Sequence, residues 1–331
     1  MTMNADPFPS LVQRFFAEHL RAQRNLSPHT VRGYRDSFRL LLRFLADYHR
    51  RPIDEITLGS FTPEAVLAFL DHLESARGNC VQTRNVRLAS VRAFARFAAA
   101  QATPELLAPA QRILSIPSKK AQRRQLGFMS RDEVAALIRA TGKSWSGQRD
   151  QLLFTLLYNT GARVSEALAI RPGDLHDRSV TLHGKGRKER SVPLWPATLR
   201  QLRRWCQTNG IKPEQLVFTN RTGGPLTREG VAFRLALCVR CAAQDCPSLG
   251  KRRITPHTFR HTTAMHLLQA GIPLEVIALW LGHERPATTH LYVEADLKMK
   301  QQCLKLLEPT GSPATPRRKP QSHLISFLEA L

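Results

Sequence analysis

The 331-residue chain has 42% hydrophobic side chains, an ordinary globular composition with room for two domains that each bury a core. Its 49 Lys and Arg stand against 26 Asp and Glu, a net charge of +23 that exceeds what solubility needs and points to a polyanionic partner. Nucleic acid is the expected polyanion rather than a membrane, because no stretch approaches the roughly 20 apolar residues of a spanning helix, and no signal peptide is read at the start.

In chain order, Ser27-Pro28 reads as a helix cap followed by proline in the first turn, and Val31, Tyr34, Phe38, Leu41, Leu42 and Leu45 then recur at helical spacing. Further helices are predicted over 63–73 and 83–98. The second of these alternates an apolar set (Val86, Ala89, Val91, Phe94, Phe97) with Arg84, Arg87, Arg92 and Arg96. Residues 1–113 therefore read as a helical bundle with an arginine-bearing face. That face fits phosphate contact by Arg84, Arg87 and Arg92, and it equally fits a solvated helix surface. Residues 114–127 read as a basic linker, in which Lys119 and Lys120 follow Pro117 with no acid nearby and are further candidates for a phosphate strand.

A second domain is expected over 128–308. It opens on Ser130-Arg131-Asp132-Glu133, a capping-box pattern ahead of an apolar helix. Helices are predicted near 149–160 and 163–169, then strands at 179–183 and 191–194 flanking a turn that carries Gly184, Lys185, Gly186, Arg187, Lys188 and Arg190. Such a basic turn could enter a DNA groove through Lys185, Arg187 and Lys188, or be an exposed charged turn. Helices return at 196–207, 228–243, 257–270, 273–281 and 287–292. Residues 309–331 read as a flexible tail ending in a short apolar helix over 323–331. The fold class expected is mainly α, with a small antiparallel sheet in a mixed, mostly helical second domain.

The six cysteines do not suggest a disulfide framework in a chain of this size. Cys238-x-x-Cys241 lies in a helical apolar pattern and reads as small core residues rather than as zinc ligands, since no second ligand pair follows. His257 and His261 stand four apart, but no Glu lies between them as a zinc hydrolase helix would need, so His261 reads as a core histidine. No metal and no cofactor are expected.

His257 and Arg260 are three apart on one helix, so both side chains leave one face. Arg163 starts a helix directly after a glycine turn, where free amides and a planar guanidinium suit a phosphate. Taken in order, Thr160-Gly161-Ala162-Arg163-x-Ser165-Glu166, Gly184-Lys185-Gly186-x-Lys188, His257-Thr258-Phe259-Arg260-His261, Leu281-Gly282-His283 and Thr288-Thr289-x-x-Tyr292 resemble the tyrosine recombinase (phage integrase) family. Leu26-Ser27-Pro28-x-Thr30-x-x-x-Tyr34 is similar to that family's SAM-like core-binding domain.

The resemblance implies site-specific recombination, whether integration, excision or transposition, by metal-free cleavage and rejoining of DNA. It implies Tyr292 as the nucleophile that forms a 3′-phosphotyrosyl link. Arg163 and Arg260 would hold the phosphate, Lys185 would protonate the leaving 5′ oxygen, His257 would serve Tyr292 as acid and base, and His283 would bond the phosphate. Glu166 is implied as a support for the arginine. The partner implied is double-stranded DNA at a specific site, bound as a homotetramer or with related recombinases, in a bacterial cytoplasm. Two alternatives stay open: a type IB topoisomerase, which shares this chemistry, and a non-catalytic DNA-binding protein.

Overall fold

The computed structural model describes residues 8–101, 104–121, 127–184 and 188–282, with 104–106 by backbone alone. Two units divide at residues 124 and 125.

In the first unit, helix α1 (Phe8–Arg14) runs on as a wider π-type helix over Phe15–Gln23. It is followed by α2 (Pro28–His49), α3 (Pro63–Ser75), α4 (Val81–Gln101) and α5 (Pro104–Ser115). The Ser27 hydroxyl accepts from the Thr30 N–H at 3.2 Å, and Thr62 serves Ala65 in the same way at 3.2 Å. Each cap is followed by a proline, which has no N–H to satisfy. The apolar faces meet at Phe94, whose ring lies edge-on to those of Phe8, Phe15, Phe38 and Phe61, with centroids 5.3–5.7 Å away.

Helix α5 ends at Ser115, two residues into the segment read as linker. The residues after it are held against α4. Arg92 donates to the Ile116 carbonyl, while the Asn85 side chain donates to the Lys119 carbonyl at 2.8 Å and accepts from its N–H at 3.1 Å.

The second unit begins with α6 (Arg131–Arg139), where Ser130 and Glu133 each bond the other's backbone N–H, at 3.1 and 2.8 Å. Then come α7 (Trp145–Thr160), α8 (Val164–Leu168), strands β1 (Ser179–His183) and β2 (Glu189–Pro193), α9 (Pro196–Thr208), α10 (Arg228–Asp245), α11 (Pro256–Gln269) and α12 (Leu274–Leu281). The strands pair antiparallel from Ser179↔Pro193 to His183↔Glu189, so β2 starts two residues earlier than the alternation predicts. Val180, Leu182 and Val192 point into the core, and α7 stacks Phe154 on Phe259 of α11 at 5.6 Å. The fold is therefore mostly helical with one small antiparallel sheet. No described helix is long and apolar enough to cross a membrane.

Candidate active site

Helix α7 ends at Gly161, whose φ of +62° sets the left-handed cap and whose N–H returns to Leu157 at 2.9 Å. A Cβ here would lie 2.5 Å from Leu281 Cδ2, so both the turn and its close approach to α12 require glycine. Two residues on, Arg163 caps α8. Its N–H donates to Glu166 Oε2 at 2.8 Å and its Nη1 to Glu166 Oε1 at 2.7 Å. Glu166 is buried at 3% exposure while the Arg163 side chain is 45% exposed. The guanidinium is thus held to Glu166 through Nη1 while the side chain stays open to solvent.

Arg260, on α11, is buried at 2% exposure. It donates from Nη1 to the Gly161 carbonyl at 2.9 Å and from Nη2 to the Leu281 carbonyl at 2.6 Å. It therefore ties the C-terminal ends of α7 and α12 to the face of α11 that carries His257. The pKa of His257 lies below the ordinary imidazole value. Desolvation lowers it, and the charges of Arg260 and Arg163 push the same way. The residue keeps an exposed surface.

Sequence reasoning missed two residues here. Arg190 on β2 donates to both Glu166 oxygens, from Nη1 at 3.1 Å and Nη2 at 2.8 Å, and from Nε to the Trp280 carbonyl at 3.0 Å. Its only sequence signal was one more charge beside a basic turn. Trp280 sends its indole N–H to the Thr160 carbonyl at 3.1 Å. Burial alone would raise the Glu166 carboxyl, but the bonds from Arg190 and Arg163 more than reverse this and hold it below the usual range.

Of the six expected catalytic residues, the structure brings Arg163, His257 and Arg260 together. Lys185, His283 and Tyr292 lie outside the described residues, as does Arg187. Lys188 is exposed, and its carbonyl accepts the Gly184 N–H at 2.7 Å across the hairpin stem.

In the first unit the basic face reads differently from the sequence. Arg84 is buried at 3% exposure beside Glu74, because a helix of this length must bury one side and Arg84 falls on it. Arg92 is turned onto the Ile116 carbonyl, and half-buried Arg87 reaches Ser37 at 3.5 Å. Lys119 pairs with Glu74 at 2.5 Å, and Lys120 is exposed. Lys119 and Lys120 stay at the surface, whereas Arg84 serves the interior.

Cys238 lies in the core, where burial pushes its thiol up to about 11, while Cys241 is exposed. His261 is buried with its ring edge-on to Phe128. Among the described residues no three His, Cys, Asp or Glu side chains gather as a metal site would require.

The family model for the phage integrase family matches residues 127–299, and that for the phage integrase N-terminal SAM-like domain matches residues 12–102. A putative integrase/recombinase, y4rC of Sinorhizobium fredii, is 39% identical over the whole of both chains. The tyrosine recombinase XerC of Rhodospirillum centenum is 33% identical over 92% of this chain and 86% of its own. Among solved structures, a Tn1549 transposon integrase in complex with a circular intermediate DNA aligns with a TM-score of 0.68 at 15% identity, covering 89% of this chain and 99% of that one. The XerH site-specific recombinase bound to its difH substrate aligns at 0.66 and 20% identity, covering 86% and 82%.

Proposed function

The chain belongs to the phage integrase family of tyrosine recombinases, and on that premise we propose that it cuts and rejoins DNA at a specific site through a 3′-phosphotyrosyl intermediate. The observation that carries this reading is the convergence of Arg163, His257 and Arg260, with Arg163 held by buried Glu166, Arg260 held by the Gly161 turn, and His257 within reach of both charges.

In the proposed reaction the Tyr292 oxygen attacks the scissile phosphorus, and the bond from phosphorus to the 5′ oxygen breaks. Tyr292 starts protonated, since a free phenol has a pKa near ~10. Its proton passes to His257, which the nearby guanidiniums favour in the neutral, accepting form. Lys185 gives a proton to the departing 5′ oxygen. Arg163 and Arg260 bind the non-bridging oxygens and stabilise the charge that grows on them, with His283 adding a hydrogen bond. The covalent link keeps the bond energy, so a 5′-hydroxyl from another strand reverses the step. The guanidiniums and Lys185 supply the positive charge without need of a metal.

The charge of +23 and the solved relatives that hold DNA support double-stranded DNA as the substrate. Exchange between two duplexes needs four cleavages, so we propose a tetramer on two sites, of this chain alone or with a related recombinase. Integration, excision and transposition would all use this chemistry.

The test uses duplexes tiled across the DNA flanking the gene, each nicked so that a short 5′-hydroxyl fragment diffuses away after cleavage. The wild-type chain is expected to leave a labelled adduct that survives denaturing electrophoresis, and Tyr292→Phe to leave none. An adduct that persists in Tyr292→Phe would remove the nucleophile from this scheme. Efficient relaxation of any supercoiled plasmid would favour a topoisomerase.

A further inference from the structure

Glu166 is a buried carboxylate that accepts four hydrogen bonds, two from Arg163 and two from Arg190. The arginines differ in placement. Arg163 is 45% exposed, whereas Arg190 is 13% exposed and also holds the Trp280 carbonyl. Gly282 follows on the same turn with φ of +65°, and a Cβ there would come within 3.0 Å of Arg190 Cδ. The chain thus brings the end of α12 directly against the Arg190 side chain.

We infer that Arg190 is a positioning residue for DNA cleavage: it supplies two of the four hydrogen bonds to Glu166, so that Arg163 commits only Nη1 of its guanidinium to the carboxylate and keeps the rest for the phosphate, and it fixes the turn that ends α12. The inference rests on the reading that Arg163 grips the scissile phosphate. The physical reason lies in the demand of a buried carboxylate. With Arg190 removed, Arg163 is the one cationic partner left to Glu166 among the described residues, and the cheapest way to satisfy the carboxylate is to draw Arg163 further inward. Lysine cannot substitute in full. An ammonium is a point charge, whereas the planar fork of Arg190 meets two carboxylate oxygens and a carbonyl at once.

The experiment compares Arg190→Met, Arg190→Lys, Glu166→Gln and the double variant Arg190→Met/Glu166→Gln on the nicked duplex that traps the wild-type chain. Single-turnover cleavage at saturating protein should fall roughly 10- to 100-fold in Arg190→Met, the range seen when a group that orients a functional ligand is lost. Gel-shift affinity should move less than about threefold, which a merely unfolded variant could not achieve. Glu166→Gln added to Arg190→Met should lose clearly less than the product of the two single losses, because the stranded charge is gone.

A folded Arg190→Met that cleaves at the wild-type rate overturns the inference, and so does a double variant that shows the full product. If Arg190→Met does not fold, Arg190→Lys decides in its place, with slowed cleavage and intact binding expected and wild-type cleavage overturning. A wild-type chain that forms no adduct counts against the recombination reading instead. The Arg190–Glu166 network is then judged by unfolding without DNA, where additive losses for the two substitutions overturn it.

Discussion

The carbonyl oxygen of Gly161 accepts from the guanidinium of Arg260 at 2.9 Å, two residues before Arg163 leaves the same turn. The two arginines are therefore placed by one piece of backbone, although nearly a hundred residues separate them. Arg260→Lys would keep a charge but lose the fork that reaches both Gly161 and Leu281. We expect a stability loss of about 1–3 kcal/mol, the cost of a buried acceptor left unmade, seen as a lowered denaturant midpoint. Cleavage should drop on the order of 100-fold or more, since the donor proposed for the transition state is also displaced. A variant with normal stability would show that these carbonyls do not depend on Arg260.

Gly161→Ala tests the turn itself. The left-handed φ costs about 1–2 kcal/mol with any Cβ, and the 2.5 Å approach to Leu281 adds an overpacking term of about 1–3 kcal/mol. Gly271, with φ of +82° and nothing within 4 Å of a built Cβ, is the matched control that carries the backbone cost alone. Denaturant unfolding of the two alanine variants should place Gly161→Ala clearly below Gly271→Ala. Equal losses would mean that Leu281 yields without cost.

The contrast between Arg260 and Arg190 shows what could be read from the chain. Arg260 was legible because it stands three residues from His257 at helical spacing, and the Ser130–Glu133 capping box was legible because its pattern is local. Strand β1 and helices α9 to α12 were likewise placed to within a few residues by periodicity and proline. Arg190 was not, because its partners come from α8 and α12, 24 and 90 residues away, and a charge beside a basic turn looks solvated. Arg84 failed in the opposite sense. Spacing put it on an arginine face, but only the packing of the first unit decides which side of α4 is interior.

That distinction predicts a split among the basic residues of the first unit. Lys120→Ala should weaken DNA binding evenly across sequences and lower the slope of log affinity against log salt by about one, with stability unchanged. Arg84→Met should do the reverse, lowering the unfolding free energy by about 1–3 kcal/mol through the loss of a buried partner for Glu74 while leaving the salt slope alone. Gel-shift titrations over a salt series and denaturant unfolding separate the two. A salt slope changed by Arg84→Met would return that residue to the DNA face.

The pH dependence of cleavage follows from the direction of the His257 shift. Its folded pKa lies below 6.5, so between that value and 6.5 the unfolded chain holds more protons and stability rises with pH, reaching its full value above 6.5. His266 is shifted down as well, by its burial first, and His183 is shifted up by its bonds to Asp174 and Glu189, so its contribution is present at acid pH and lost as pH rises. Stability therefore mixes opposing slopes, and the rate is the cleaner readout. The neutral imidazole is the proposed proton acceptor for Tyr292, so the acid limb of cleavage at sub-saturating protein, which reports the DNA-free protein, should fall below pH 6.5. His257→Asn should remove that limb and slow cleavage by about 100-fold or more. Arg163→Met, although slower, should move the limb upward, because one of the charges opposing protonation is gone. A wild-type limb above 6.5, or one that His257→Asn leaves in place, would assign the proton transfer to another group.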